Sequence, residues 1–428
     1  MRRIRTAISA LALTVAAATL TVPGTEALAS PAQSAPATAA AAAVPVAPSE
    51  VRNYTWFNTK PQTANEDMHA GVAAHVQRLI NAASPGATLS LTLYYFNRKE
   101  IIDSLRDAAA RGVHVRVVVD GDMLYGNNAW AYAALKAIPT IRLVACDPRP
   151  NGAAPVRGCM SDRLGAAPLD KRPINHNKFM TISSVQLTGG GTARNVLYTA
   201  SANLDYYRAY ESALTVTHAG LYQDYVSYFN DLMRHGSSGR VNNNYGKTLS
   251  AGAHRVYTFP RREAAGRSPR SASNDPIAAL LRQTTCGASG RTLIDLANFR
   301  IQRRAVVNEL IAAQKRGCRI RVVTGENTFA AVQDLARAVP VRHCGHTEAG
   351  GVTVHEKFMI IRRGSQSTLY AGSQNLTYRA LRQNDEAVLA LRNHAVNGPY
   401  QQRFNWLYGE CDPFVAPTAN ATGAADID

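Results

Sequence analysis

Arg111-Gly112-Val113-His114-Val115-Arg116-Val117-Val118 returns along the chain as Arg316-Gly317-Cys318-Arg319-Ile320-Arg321-Val322-Val323, an offset of 316 − 111 = 205 residues. Each copy closes a run of apolar residues at helical spacing, Glu100 to Ala110 and Arg303 to Lys315, with an Arg-Gly stop. A β-branched run follows, continuous rather than alternating, as expected of a strand buried on both faces. Working outward, Leu91-Thr92-Leu93-Tyr94-Tyr95-Phe96 recurs as Ile294-Asp295-Leu296-Ala297-Asn298-Phe299, at 294 − 91 = 203. Arg52-Asn53-Tyr54-Thr55-Trp56-Phe57 recurs as Arg255-Val256-Tyr257-Thr258-Phe259, at 255 − 52 = 203. Downstream, His176-Asn177-Lys178-Phe179-Met180 matches His355-Glu356-Lys357-Phe358-Met359, at 355 − 176 = 179. Ala200-Ser201-Ala202-Asn203-Leu204 then matches Gly372-Ser373-Gln374-Asn375-Leu376.

Repeated blocks in one order predict a duplicated α/β fold. Two similar lobes are expected, each a mostly parallel mixed β-sheet flanked by helices, with a pseudo-twofold between them. The boundaries read as half 1 over 49–235, a connector over 236–253, half 2 over 254–415 and a tail over 416–428. The Gly/Ser/Asn/Arg-rich stretch from Gly236 to Ser273 reads as surface loop apart from its repeated strand, with Arg261, Arg262, Arg267 and Arg270 solvated. The fall in offset gives the first half 205 − 179 = 26 extra residues between Val118 and His176. They fall around Asp147 to Pro173, as a pocket rim or a surface loop.

The amino terminus predicts export. Arg2, Arg3 and Arg5 precede an apolar stretch from Ile8 to Val22, then Ala27-Leu28-Ala29, the pattern of a signal peptide over 1–29. Residues 30–48 are mostly Ala, Pro, Ser and Val and read as a disordered leader. Six cysteines in an exported chain favour three disulfides. Cys146 and Cys159 bracket a Pro/Gly-rich loop and pair most naturally; Cys286, Cys318, Cys344 and Cys411 stay unassigned. None has the C-x2-C spacing of a zinc site. The 428 residues carry 47 Lys+Arg against 30 Asp+Glu, a net charge of +17. With 46% hydrophobic and 18% charged residues the composition excludes a wholly disordered or collagen-like chain, and the positive charge favours an anionic partner.

Alternation along a strand points residues i and i+2 to one face, so His176 projects with Lys178 and His355 with Lys357. Each pair is followed by a small-residue turn holding Asn203 or Asn375. About a pseudo-twofold, both sets converge on one cleft suited to a phosphodiester. A neutral imidazole there attacks phosphorus, the other serves as general acid and base, and lysines and carboxamides hold the oxygens. No cofactor is required, because the cations are already supplied.

These residues resemble the phospholipase D superfamily, whose motif is H-x-K-x4-D with a G-S/G-x-N turn; the resemblance covers both halves. It implies that His176 and His355 are nucleophile and general acid/base, with His176 preferred as nucleophile. It implies phosphate-binding roles for Lys178, Lys357, Asn203 and Asn375. The family's histidine-orienting acid corresponds to Glu386 and, at a slightly shorter spacing, Glu211. The chain departs from the motif at Ser183 and Arg362, which stand where the Asp belongs, and at Ala200, where the turn's Gly belongs.

Three functions are expected to compete. The first is a secreted phospholipase D acting on glycerophospholipids, by hydrolysis or transphosphatidylation, with Tyr206, Tyr207 and Trp130 lining a head-group pocket. The second is a metal-independent extracellular nuclease, for which the positive charge is suited. The third is a non-catalytic relic that binds anionic lipid. The expected partners are a phospholipid or other phosphodiester and an anionic membrane surface, with no obligate protein partner.

Overall fold

The computed structural model describes residues 42–149, 154–287, 292–345 and 351–416. The signal peptide, most of the leader and all but the first residue of the tail lie outside them. The first half runs α1 (Ser49–Arg52), β1 (Asn53–Phe57), α2 (Ala70–Asn81), β2 (Thr88–Leu93), α3 (Lys99–Ala110) and β3 (His114–Val119). It continues α4 (Ala129–Lys136), β4 (Arg142–Ala145), β5 (Phe179–Gln186), β6 (Thr192–Ala200), β7 (Ala209–Tyr210), β8 (Ser212–Thr217) and α5 (Ala219–Ser238). The second half opens β9 (Thr248–Ala251), β10 (His254–Thr258), α6 (Pro276–Gln283), β11 (Thr292–Asn298), α7 (Arg304–Lys315) and β12 (Arg319–Thr324). Next come α8 (Ala330–Ala336), β13 (Val341–His343), β14 (Thr353–Val354), β15 (Lys357–Arg363) and β16 (Gln366–Gly372). The chain then adds α9 (Tyr378–Arg382), β17 (Ala387–Arg392), α10 (Asn397–Glu410) and β18 (Asp412–Pro413).

The duplication is explicit in the strand orders. The first sheet reads β1-β8-β6-β5-β2-β3-β4 and the second β18-β13-β12-β11-β15-β16-β17-β10-β9. β10 stands for β1, β17 for β8, β16 for β6 and β15 for β5. The expected parallel majority does not hold. Among the described strands of these two sheets, only β2-β3-β4 and β11-β12-β13 pair in parallel, where helices make the crossovers. From β5 and β15 onward, short connections such as Leu187–Gly191 permit antiparallel pairing alone. Phe57 faces Ser212 and Thr258 faces Ala387, so the first-strand match sits at 258 − 57 = 201 instead of 203.

Helices α2, α3 and α4 close one apolar cluster on the outer face of the first sheet, and α6, α7 and α8 do the same on the second. A third cluster lies between the sheets, where Phe179, Tyr225 and Tyr228 join Phe358, Tyr400 and Phe404. Helix α5 reaches β9 and β10 of the second half, while α10 reaches β1 of the first. Burying these large rings against one another locks the halves into a single body.

Three expectations change. The leader is docked from Val44 onward: the Val44 N–H donates to Asn81, and Val46 is buried and bridges Leu187. The connector is part helix and part strand, since α5 extends to Ser238 and β9 pairs with β10. Arg261 is half-buried, donating to the Thr258 carbonyl and the Thr248 hydroxyl, whereas Arg262, Arg267 and Arg270 are exposed. Cys146–Cys159 forms as expected, and the remaining pairs are Cys286–Cys318 and Cys344–Cys411. Among the described residues, no helix is long and apolar enough to cross a membrane.

Candidate active site

Two short parallel contacts between the halves build the site. β14 pairs with β7, setting Val354 beside Tyr210, and the His355 N–H donates to the Tyr210 carbonyl at 2.9 Å. Its symmetry mate sets Asn175 beside Asp385, and the His176 N–H donates to the Asp385 carbonyl at 3.0 Å. The next residue along each partner is a glutamate. Glu386 of the second half therefore meets His176 of the first, Oε1 to Nδ1 at 2.9 Å. Glu211 of the first half meets His355 of the second at 2.5 Å. Each lobe orients the other's imidazole. With Nδ1 carrying the proton toward its carboxylate, Nε2 is left with the lone pair.

Lys178 and Lys357 fold back onto the carbonyls of their own histidines, at 3.0 and 2.7 Å. All four residues are buried. Asn203 and Asn375 are buried in the turns leaving β6 and β16, three residues past Ala200 and Gly372, which close the hairpins opposite Lys178 and Lys357. The Asn203 amide donates to Asp205 at 3.3 Å. Phe299 and Tyr207 pack edge-on against His355, with ring centroids 4.8 and 5.3 Å away, and Tyr94 packs likewise on His176 at 5.5 Å.

Two participants escape a reading by spacing. The Ser373 hydroxyl donates to the second oxygen of Glu386 at 2.5 Å. Its counterpart Ser201 donates to the Ser212 carbonyl instead. His69, fully buried, bonds Asp205 through Nδ1 at 3.1 Å and holds Nε2 4.0 Å from Glu211. Ser373 sits inside the repeated turn, which is a usable signal; His69 has none.

The insertion forms part of this site. The N–H groups of Cys159 and Met160 donate to the Asp385 carboxylate at 2.7 and 3.1 Å. Gly158 permits this approach, because a Cβ there would stand 2.9 Å from Asp385 Oδ2. The Gln383 amide reaches the Arg163, Leu169 and Lys171 carbonyls, and Arg379 donates to the Arg172 carbonyl. Of the proposed head-group aromatics, Tyr207 packs against His355. Tyr206 is exposed and lies over Arg98, and Trp130 is exposed on α4. Where the motif's Asp is lost, the Ser183 hydroxyl accepts from the Thr88 N–H and Arg362 is half-buried in β15.

Burial holds the His176 imidazole well below its ordinary proton affinity, and the charges of Lys178, Lys357 and His355 push the same way. Burial also lowers His355, to about 4, with Glu211 opposing and Lys357 adding. For Glu211 burial acts upward, but the charge and hydrogen bond of His355, then Lys357 and His69, bring it to about 2. Lys357 is lowered to about 7 by burial, against the pull of Glu211. These mutual influences place both histidine-lysine pairs in one electrostatic site. Among the described residues, one group of metal-ligand type is gathered, Cys146, Cys159 and Asp385; its sulfurs are joined and its carboxylate is held by N–H groups.

A family model described as "Cardiolipin synthase, PLD-like domain" matches residues 76–233 and 287–408, more than half of the chain and both histidine-lysine sets. The chain belongs to the phospholipase D superfamily. Among curated relatives of this phosphodiesterase superfamily, the mitochondrial cardiolipin hydrolase of Xenopus tropicalis is 27% identical over 124 residues, 28% of this chain and 56% of its own length. The Xenopus laevis protein of the same description is 25% identical over 158 residues, 32% of this chain and 72% of its own. This chain thus spans little more than half of the first relative. Among solved structures, phosphatidylserine synthase of Haemophilus influenzae superposes with a TM-score of 0.55 at 14% identity, covering 81% of this chain and 85% of that one. Polyphosphate kinase of Porphyromonas gingivalis gives 0.53 at 15% identity, covering 83% and 50%. At such identities the likeness concerns the fold alone.

Proposed function

We propose that this phospholipase D superfamily chain is an exported phosphodiesterase that hydrolyses glycerophospholipids, or transfers their phosphatidyl group to an alcohol, through a phosphohistidine. The observation that carries the reading is the reciprocal crossing of His176 to Glu386 and His355 to Glu211. Burial disfavours both imidazoles as cations. A bound diester adds the missing negative charge and raises both, so that one accepts a proton beside its ionised carboxylate. His355, backed by Glu211, takes that proton. His176 stays neutral, and its Nε2 attacks phosphorus. The P–O bond to the leaving alcohol breaks while His355 delivers its proton to that oxygen. Water then gives a proton to His355 and attacks phosphorus from the opened side, and the P–N bond breaks to restore His176. Lys178, Lys357, Asn203 and Asn375 hold the phosphoryl oxygens as charge spreads over them. Export rests on the amino-terminal pattern, and the acyl-chain side of the substrate on the relatives' descriptions.

A second reading, an extracellular nuclease with the same two displacements, is favoured by the net charge of +17. Purified protein in EDTA is given phosphatidylcholine with ethanol and, separately, plasmid DNA. Phosphatidylethanol supports the lipid reading and nicked plasmid the nuclease. Neither product across a pH series leaves the non-catalytic anionic-lipid binder. His176→Ala and His355→Ala each abolish turnover; full activity in either refutes the two-histidine mechanism.

A further inference from the structure

The two halves differ on the outer faces of their sheets. In the first half, Tyr54, Thr215 and Tyr198 lie opposite one another across β1, β8 and β6. The twelve-residue α2 covers them: His75 stacks on Tyr54 at 3.8 Å and bonds the Thr215 hydroxyl at 2.8 Å. In the second half the same register positions are Arg255, Ala390 and Tyr370. The covering helix α6 has only eight residues. A groove of about 1010 Å³ remains above them.

Five guanidinium groups line this groove: Arg255, Arg261, Arg282, Arg363 and Arg392. Four are exposed and Arg261 is half-buried. The register puts Arg255 beside Ala390, and Arg392 beside Thr368, so their side chains share the face that floors the groove. The only acid among the described lining residues, Asp275, is buried, caps α6 and pairs with Arg303. Arg282 has Glu309 as a partner, but Arg255, Arg363 and Arg392 face no carboxylate among the described residues. Like charges gathered around one cavity repel, and an anion placed among them relieves that repulsion. Guanidinium forks, with Thr368 on the same face of the sheet, match phosphate oxygens in bidentate geometry. The site is separate from the catalytic cleft. Lys357 opens β15 and Arg363 closes it, roughly 20 Å apart at about 3.3 Å per residue.

We infer that this groove is a second anion site, which takes clustered phosphates from a soluble oligophosphate or from the head groups of an acidic lipid surface. Binding of sodium tripolyphosphate is measured by calorimetry, and binding to phosphatidylglycerol-containing vesicles by co-sedimentation, both in 150 mM salt. Arg255→Ala/Arg392→Ala and, separately, Arg363→Glu are compared with the wild-type chain. Affinity falls at least tenfold in one arm, which names the source, while turnover of a soluble phosphodiester and the melting temperature are unchanged. Wild-type isotherms from both variants in both arms overturn the inference. The readout is binding away from the histidines, so its failure is distinguishable from failure of the proposed activity.

Discussion

Lys357→Met gains stability at the expense of activity, and the size of the gain follows from one buried ammonium. Folding brings Lys357 from an ordinary 10.5 to about 7, because burial penalises its charge more than Glu211 and Glu386 repay. A lysine with a depressed folded value weakens the fold wherever the unfolded chain is protonated and the folded one resists. The penalty is full below about 7, shrinks as pH rises, and vanishes above 10.5. At about 1.4 kcal/mol per unit, the full penalty is on the order of 5 kcal/mol. The variant also loses the hydrogen bond to the His355 carbonyl, which costs about 1–3 kcal/mol. The net gain at pH 6 is then roughly 2–4 kcal/mol, falling to nothing or reversing by pH 9.5. Thermal melts of both proteins across this range read it directly, alongside a loss of turnover from the missing phosphate ligand. A melting temperature at pH 6 equal to or below wild type, or a gain that does not change with pH, refutes the reasoning.

Other outcomes follow from the same geometry. Glu386→Gln and Glu211→Gln each lower kcat by ~10²–10⁴ with little change in KM, because the imidazole loses its oriented tautomer and charge partner; steady-state kinetics with less than a tenfold loss contradicts the crossing. Orthophosphate binding takes up protons above pH 7, since the anion lifts Lys357 from about 7, and affinity therefore falls as pH rises through that value. Calorimetry in buffers of different ionisation enthalpy checks this, and a buffer-independent enthalpy at pH 8 contradicts it. Gly158→Ala drives a methyl into Asp385 and the Ile174 backbone, costing about 1–3 kcal/mol and lowering kcat about tenfold through the displaced His176; unchanged kinetics would detach the insertion from the site.

The sequence reaches the duplication, both histidine-lysine pairs and the asparagine turns through local spacing, and both glutamates through the resemblance to the phospholipase D superfamily. It did not reach which glutamate serves which histidine. The partners lie 210 and 144 residues apart, and the crossing exists only once Asn175 and Val354 pair with the opposite half. His69 was invisible for the same reason: its link to Glu211 is made across space. The antiparallel majority was missed because buried strands carry the same apolar run in either direction, so the connection lengths were the better guide. Val46 reads as part of a featureless Ala/Pro stretch, yet one edge bridge to Leu187 suffices to bury it.

The central claim is that phosphorus is displaced twice, once by an imidazole and once by the acceptor, from opposite sides. A diester made chiral at phosphorus with sulfur and oxygen isotopes tests this most directly. Two in-line displacements return the product with retained configuration, as transfer through His176 requires. Inversion would mean that water attacks the substrate itself, and the phosphohistidine account would fall.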